Sequence, residues 1–208
     1  MIESYQALAM RTSQWQPGTD GYRGEQHRRY AAMSLVGESG EVVDALKKCL
    51  AGQDVPREKI LLELGDVAWS IACVCEVQGY EFAQALGYAE HSAVSDGDEF
   101  HLALTLSKLA SRAGESLYVD DLEGDNDCFF DGSICFVALT RTLGFTLDEV
   151  LAANIDKLSK RYASGSYSHE ASIARADVEG VATANHRCVA TVGKGTVSTA
   201  PEAIVEGE

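Results

Sequence analysis

The sequence predicts an all-α protein, a bundle of helices joined by short turns. Three observations carry that expectation. Apolar residues recur at helical spacing through most of the first 162 residues, which places them on one side of a helix. Prolines occur only at 17, 56 and 201, so 144 consecutive residues lack the residue that breaks helices. Turn-forming residues punctuate the pattern at 14–24, 51–54, 79 and 144.

The first helix is expected over 2–13, followed by a loop at 14–24 in which Pro17-Gly18 and Asp20-Gly21 are turn signals. A long helix follows over 26–50, with Tyr30, Met33, Leu35, Val42, Val43, Leu46 and Leu50 among its apolar members. Pro56 fits the first turn of the next helix, which runs to 78 and is strongly apolar after Asp66, as a helix at the centre of a bundle would be. Gly79 closes it. Weaker helices are expected over 81–91 and 98–118, then an acidic loop over 120–131 and an apolar helix over 133–143 closed by Gly144. The last helix starts at Thr146 with Glu149 three residues on, a capping box, and runs to 162. Residues 163–208 turn rich in Gly, Ser, Ala, Thr and Val and read as a flexible tail, with short strands at 188–192 as the alternative.

The 17 Lys and Arg against 32 Asp and Glu give a net charge of −15. That excludes a nucleic-acid polymer as partner, which needs a basic face, and disfavours an anionic membrane surface. No run of 18 or more apolar residues exists to span a bilayer, and the N-terminus lacks the basic start and apolar run of a signal peptide. A cytoplasmic location is the expectation. The six cysteines (49, 73, 75, 128, 135 and 188) then read as reduced and buried, because no paired metal-ligand spacing occurs.

Two carboxylate pairs stand apart. Glu38 and Glu41 lie three residues apart on the second helix, and Glu63 and Asp66 three apart on the third. A three-residue step puts each pair on one face, a turn apart. Their neighbours are small or apolar: Val36, Gly37, Ser39 and Gly40 around the first, Leu62, Leu64, Gly65 and Val67 around the second. Like charges in such surroundings repel and lose hydration unless a cation compensates. An all-oxygen set suits Mg²⁺ or Mn²⁺. The short connection makes the two helices antiparallel neighbours, which gathers all four acids. The glycines at 37, 40 and 65 cost helix propensity and fit close approach of a neighbouring helix or ligand.

Glu38-Ser-Gly-Glu41 followed by Glu63-Leu-Gly-Asp66-Val-Ala-Trp69 resembles the MazG-like nucleotide pyrophosphohydrolases of the all-α NTP pyrophosphatase superfamily. The stretches around Tyr5, Arg11 and Thr12, and around Asn154, Lys157, Arg161 and Tyr162, are similar to its phage-type members, so that the location would be the host cytoplasm. The resemblance covers under half the chain. It implies Mg²⁺-dependent hydrolysis of a nucleoside triphosphate, with Mn²⁺ able to substitute, to the monophosphate and pyrophosphate. It also implies a homodimer or homotetramer. Carried over residue by residue, Glu38, Glu41, Glu63 and Asp66 would hold the metal. One carboxylate would also act as a general base; Glu41 is the guess, but the sequence does not single it out among the four. Lys157 and Arg161, four apart on the last helix, are the expected phosphate contacts, with Asn154 a turn earlier as a polar contact. Lys47 and Lys48 are weaker candidates, and Trp69 could flank a base.

Short members of that family lack residues corresponding to 80–144. Here 134–147 is similar in pattern to 71–82, and 104–118 faintly echoes 33–48 without its Glu-x-x-Glu. A plain helical insertion and a degenerate second half are both compatible. Three other readings are a dUTPase- or dCTPase-like specificity, a nucleotide sensor, and a non-catalytic helical interaction module.

Overall fold

The computed structural model describes residues 1–93, 97–119 and 126–175. Among them the chain is entirely helical outside turns and loops: α1 (Ile2–Met10), α2 (Glu25–Leu50), α3 (Arg57–Gln78), α4 (Phe82–Ser92), α5 (Glu99–Val119), α6 (Asn126–Thr142), α7 (Leu147–Arg161) and α8 (His169–Ala174). None is long and apolar enough to cross a membrane.

α2 and α3 form an antiparallel hairpin around Gly52, whose φ of 76° makes the turn. Ser34 and Ser70 share a hydrogen bond of 2.8 Å across it. α5 covers α2, and Gly114 sets the approach: a Cβ there would lie 3.0 Å from Val36 and 3.2 Å from the Ala32 carbonyl. α6 pairs with α5 as α3 pairs with α2. α7 lies across α3, and α4 lies across α6. α1 closes one end against α3, α4 and α7. Gln6 ties it there, donating to Glu76 (2.9 Å) and accepting from the Phe82 amide (2.8 Å).

Two turns of this bundle have the same build. α3 ends at Gly79 (φ 77°), and the Tyr80 amide reaches back to the Cys75 carbonyl at 2.8 Å. α6 ends at Gly144 (φ 74°), and the Phe145 amide reaches back to the Thr140 carbonyl at 3.0 Å. Both are left-handed glycine caps that satisfy a carbonyl five residues back. In each the helix after the turn crosses to the opposite hairpin. Phe82 and Leu86 of α4, Phe136 and Leu139 of α6, and Leu64 and Leu151 are all fully buried in the shared core.

Three boundaries differ from expectation. α1 stops at Met10, not 13, because Thr12 and Ser13 bond three residues back (3.0 and 2.9 Å) and the Thr12 hydroxyl takes the Ala9 carbonyl (2.6 Å). α6 starts at Asn126, not 133: Cys128 and Phe129 are buried and extend its core face into the predicted acidic loop. Residues 163–175, expected in the tail, form a turn and α8 against the bundle. The rest of the tail, with its alternative strands and Cys188, lies outside the described residues, as do 120–125 of the acidic loop. The capping box at Thr146 is present, with Glu149 N–H to Thr146 Oγ1 at 3.2 Å and Thr146 N–H to Glu149 Oε2 at 2.7 Å. Cys73, Cys75, Cys128 and Cys135 form no disulfide and are buried, and Cys49 forms none and is half-buried. Burial pushes the Cys73 and Cys75 thiols up to about 12 and that of Cys135 to about 11.

Candidate functional site

α2 buries Ala31, Leu35, Ser39, Val42 and Leu46, so Glu38 falls at the edge of its core face where α3 comes alongside. α3 buries Ile60, Leu64, Val67 and Ile71, and leaves Lys59, Glu63 and Asp66 on the adjoining stripe. The antiparallel pairing faces these stripes. Glu38, Glu63 and Asp66, all half-buried, each bring a carboxylate oxygen within 4.8 Å of the others. Burial, followed by the Asp66 charge, pushes the Glu38 carboxyl up to about 7; Lys157 opposes the shift, and Glu63 and Glu41 add to it. Glu41 is exposed and outside this set, although it lines the same cavity. A Glu-x-x-Glu pair spans enough of the helix circumference that one member faces α3 and the other the rim.

Asp66 is held from behind. Its Oδ1 accepts from Asn154 Nδ2 at 3.2 Å and its Oδ2 from Lys157 Nζ. The fully buried Tyr5 hydroxyl donates to Asn154 Oδ1 at 2.8 Å. Burial, with the Asp66 charge second, holds the Tyr5 phenol well above its ordinary value, so it stays a donor. Gly65 makes this contact possible, since a Cβ there would stand 2.9 Å from Asn154 Cβ. Its close approach is therefore real, whereas Gly37 and Gly40 face open space and no helix approaches them.

The carboxylates stand in the wall of a cavity of about 860 Å³. Its lining comes from the loop after α1 (Thr12, Ser13, Gln14), from α2 and α3, from α7, and from the segment after it. Tyr30, Trp69, Tyr162 and Tyr167 supply aromatic surface. Tyr30 meets the Trp69 ring edge-on at 6.2 Å, and Tyr162 lies 5.8 Å from Tyr167. Trp69 Nε1 donates to Thr12 Oγ1 at 3.1 Å, so this residue both packs and lines the cavity. Five cationic side chains (Lys59, Lys157, Lys160, Arg161, Arg175) and five carboxylates (Glu38, Glu41, Glu63, Asp66, Asp156) share the lining, which is thus neutral within a chain of net charge −15.

Of the residues expected here, Glu38, Glu41, Glu63, Asp66, Lys157, Arg161 and Trp69 line one cavity. Asn154 does not. It is fully buried and serves Asp66 rather than a ligand, because α7 presses that side chain onto Gly65. Lys47 and Lys48 are not among the lining residues: both pair with Asp44 on their own helix, and Lys48 also feels the charges of Glu41 and Glu63. Lys59 was missed, although its position four residues before Glu63, to which it is paired at 3.3 Å, was readable. Tyr167, Ser172 and Arg175 were missed because they fall in a stretch read as tail.

No family model matches the chain, and no solved structure matches it. The chain is similar to the Gene 37 protein of Mycobacterium phage L5, with 34% identity over 76 residues. That match covers 34% of this chain and 66% of the phage protein, just under two thirds of its length.

Proposed function

We propose that the chain is a Mg²⁺-dependent nucleoside triphosphate pyrophosphohydrolase, releasing pyrophosphate and the monophosphate. The observation that carries this reading is the convergence of Glu38, Glu63 and Asp66 in the wall of a cavity that also holds cations and aromatic rings. The donor set fits a hard divalent cation. Burial first, and then the Asp66 charge, raise the Glu38 carboxyl, and a dication offsets both the lost hydration and the repulsion. Glu38, Glu63 and Asp66 would hold the metal, which would supply charge to offset a phosphate chain and to make a water more acidic for attack on phosphorus.

The chain's own residues supply the rest. Lys157 is paired with Asp66 at the cavity wall, and it and Arg161 place positive charge where a phosphate chain would lie. Lys59 adds charge beside Glu63. Glu41, outside the three-carboxylate set and open to water, is placed to accept a proton. Tyr30 and Trp69 offer a surface for a base. Pyrophosphate release is measured against a panel of canonical and modified NTPs and dNTPs with Mg²⁺, Mn²⁺ or chelator. Turnover that requires the metal and yields pyrophosphate is expected. No metal-dependent turnover on any nucleotide refutes the reading.

A further inference from the structure

We propose that Arg175 is a phosphate-binding residue of this cavity, so that the chain beyond α7 forms part of the nucleotide site. The proposal rests on the nucleotide reading above and extends it to a segment without the carboxylate motifs.

The segment is built to return. Gly165 adopts a φ of 85° and donates to the Tyr162 carbonyl at 2.8 Å, reversing the chain. The Tyr167 amide then donates to the Arg11 carbonyl at 3.0 Å, fastening the strand of chain to the end of α1. Ser168 caps α8, its hydroxyl accepting from the Ala171 amide at 3.1 Å. The reversal carries Tyr167, Ser172 and Arg175 onto the wall of the same cavity as the three carboxylates.

Charge singles out Arg175. Lys59, Lys157 and Lys160 are each engaged by a carboxylate of the chain (Glu63, Asp66 and Asp156), and Arg161 is also engaged. Among the described residues Arg175 has no such ion pair, yet it lines a cavity that five carboxylates also line. A guanidinium presents a planar fork of donors that matches two oxygens of a phosphate. Its backbone is left-handed (φ 48°), where glycine or asparagine would sit more easily. The position therefore holds an arginine against its backbone preference.

The test is calorimetric titration of the full chain with the same panel of canonical and modified NTPs and dNTPs and with the matching monophosphates. Ca²⁺ replaces Mg²⁺ to suppress turnover. Arg175→Ala should weaken triphosphate binding about tenfold, equivalent to about 1.4 kcal/mol. It should leave Ca²⁺ binding without nucleotide and the melting temperature unchanged, and Arg175→Lys should recover part of the loss. Unchanged triphosphate affinity in Arg175→Ala overturns the assignment. Wild-type protein that binds no triphosphate overturns both this and the proposed function. Wild-type protein that binds but does not turn over with Mg²⁺ removes the enzyme reading alone, and Arg175 is then judged by the alanine variant.

Discussion

The α2–α3 hairpin and the α5–α6 hairpin are built alike and do different things. Each ends in a left-handed glycine followed by an aromatic residue, and each sends its next helix across the other hairpin. Counted from Gly79 and Gly144, Asp66 corresponds to Asp131, Glu63 to the buried Cys128, and Gly65 to Phe130. Asn154 and Lys157, which hold Asp66, correspond to Ala89 and Ser92. The second hairpin thus keeps the caps, the apolar spacing and an exposed acid at Asp131, but has apolar or small groups where the first keeps Glu63 and the supports of Asp66. Packing and turns specify the bundle. The acids are an addition to that frame, with Glu63 and Asp66 each paired to a lysine, and among the described residues they cluster once.

The comparison is broken most severely by making the first hairpin like the second. Glu63→Cys should abolish metal-dependent pyrophosphate release, by roughly a thousandfold if several kcal/mol of transition-state stabilisation go with the metal. The helical circular dichroism should stay unchanged; full activity would remove Glu63 from the site. Gly65→Ala tests the support behind Asp66. A methyl 2.9 Å from Asn154 Cβ should cost about 1–3 kcal/mol of stability in chemical denaturation. Gly40→Ala, facing open space in the same stretch of sequence motif, should instead stabilise by up to about 1 kcal/mol.

Acidity sharpens the contrast further. The Glu38 carboxyl titrates near 7 when folded and near its ordinary value of 4.5 when unfolded. The folded state therefore holds this proton more tightly. The associated stability is full below the unfolded value and is lost as pH rises through the folded one, by less than about 3 kcal/mol because solvent screens this half-buried group. Thermal melts from pH 4.5 to 8 should show that loss, and Mg²⁺ should raise the melting temperature more at pH 8 than at pH 5.5. Glu38→Gln should flatten both trends. Tyr5→Phe, which removes the hydrogen bond to Asn154, should cost about 1 kcal/mol in denaturation, comparable in size to the Gly40→Ala gain, with little change in kcat.

Much of this was legible in the sequence. The hairpin of α2 and α3 and the capping box at Thr146 follow from local signals, and so does the grouping of the acids. What was not legible depended on facing. Glu38 and Glu41 are equivalent in a linear motif, and only the placement of α3 turns one inward and leaves the other at the rim. Asn154 reads as a ligand contact by spacing, but the absence of a side chain at Gly65 lets it pack behind Asp66. Lys47 and Lys48 read as available cations, but Asp44 lies within a helical turn of both. The segment around Tyr167 has no periodicity to read, because backbone bonds to Tyr162 and Arg11 hold it rather than an apolar face.

The wall position of Trp69 gives the molecule an optical handle. The chain has two tryptophans, and they occupy unlike surroundings. Trp15 is stacked on His27 at 4.8 Å and is not among the cavity-lining residues. Trp69 lines the cavity three residues from Asp66, with its indole N–H committed to Thr12. In a Trp15→Phe background the intrinsic emission would come from one indole beside the carboxylates. Occupancy of the cavity could then be followed in real time, without a label and before any bond is broken.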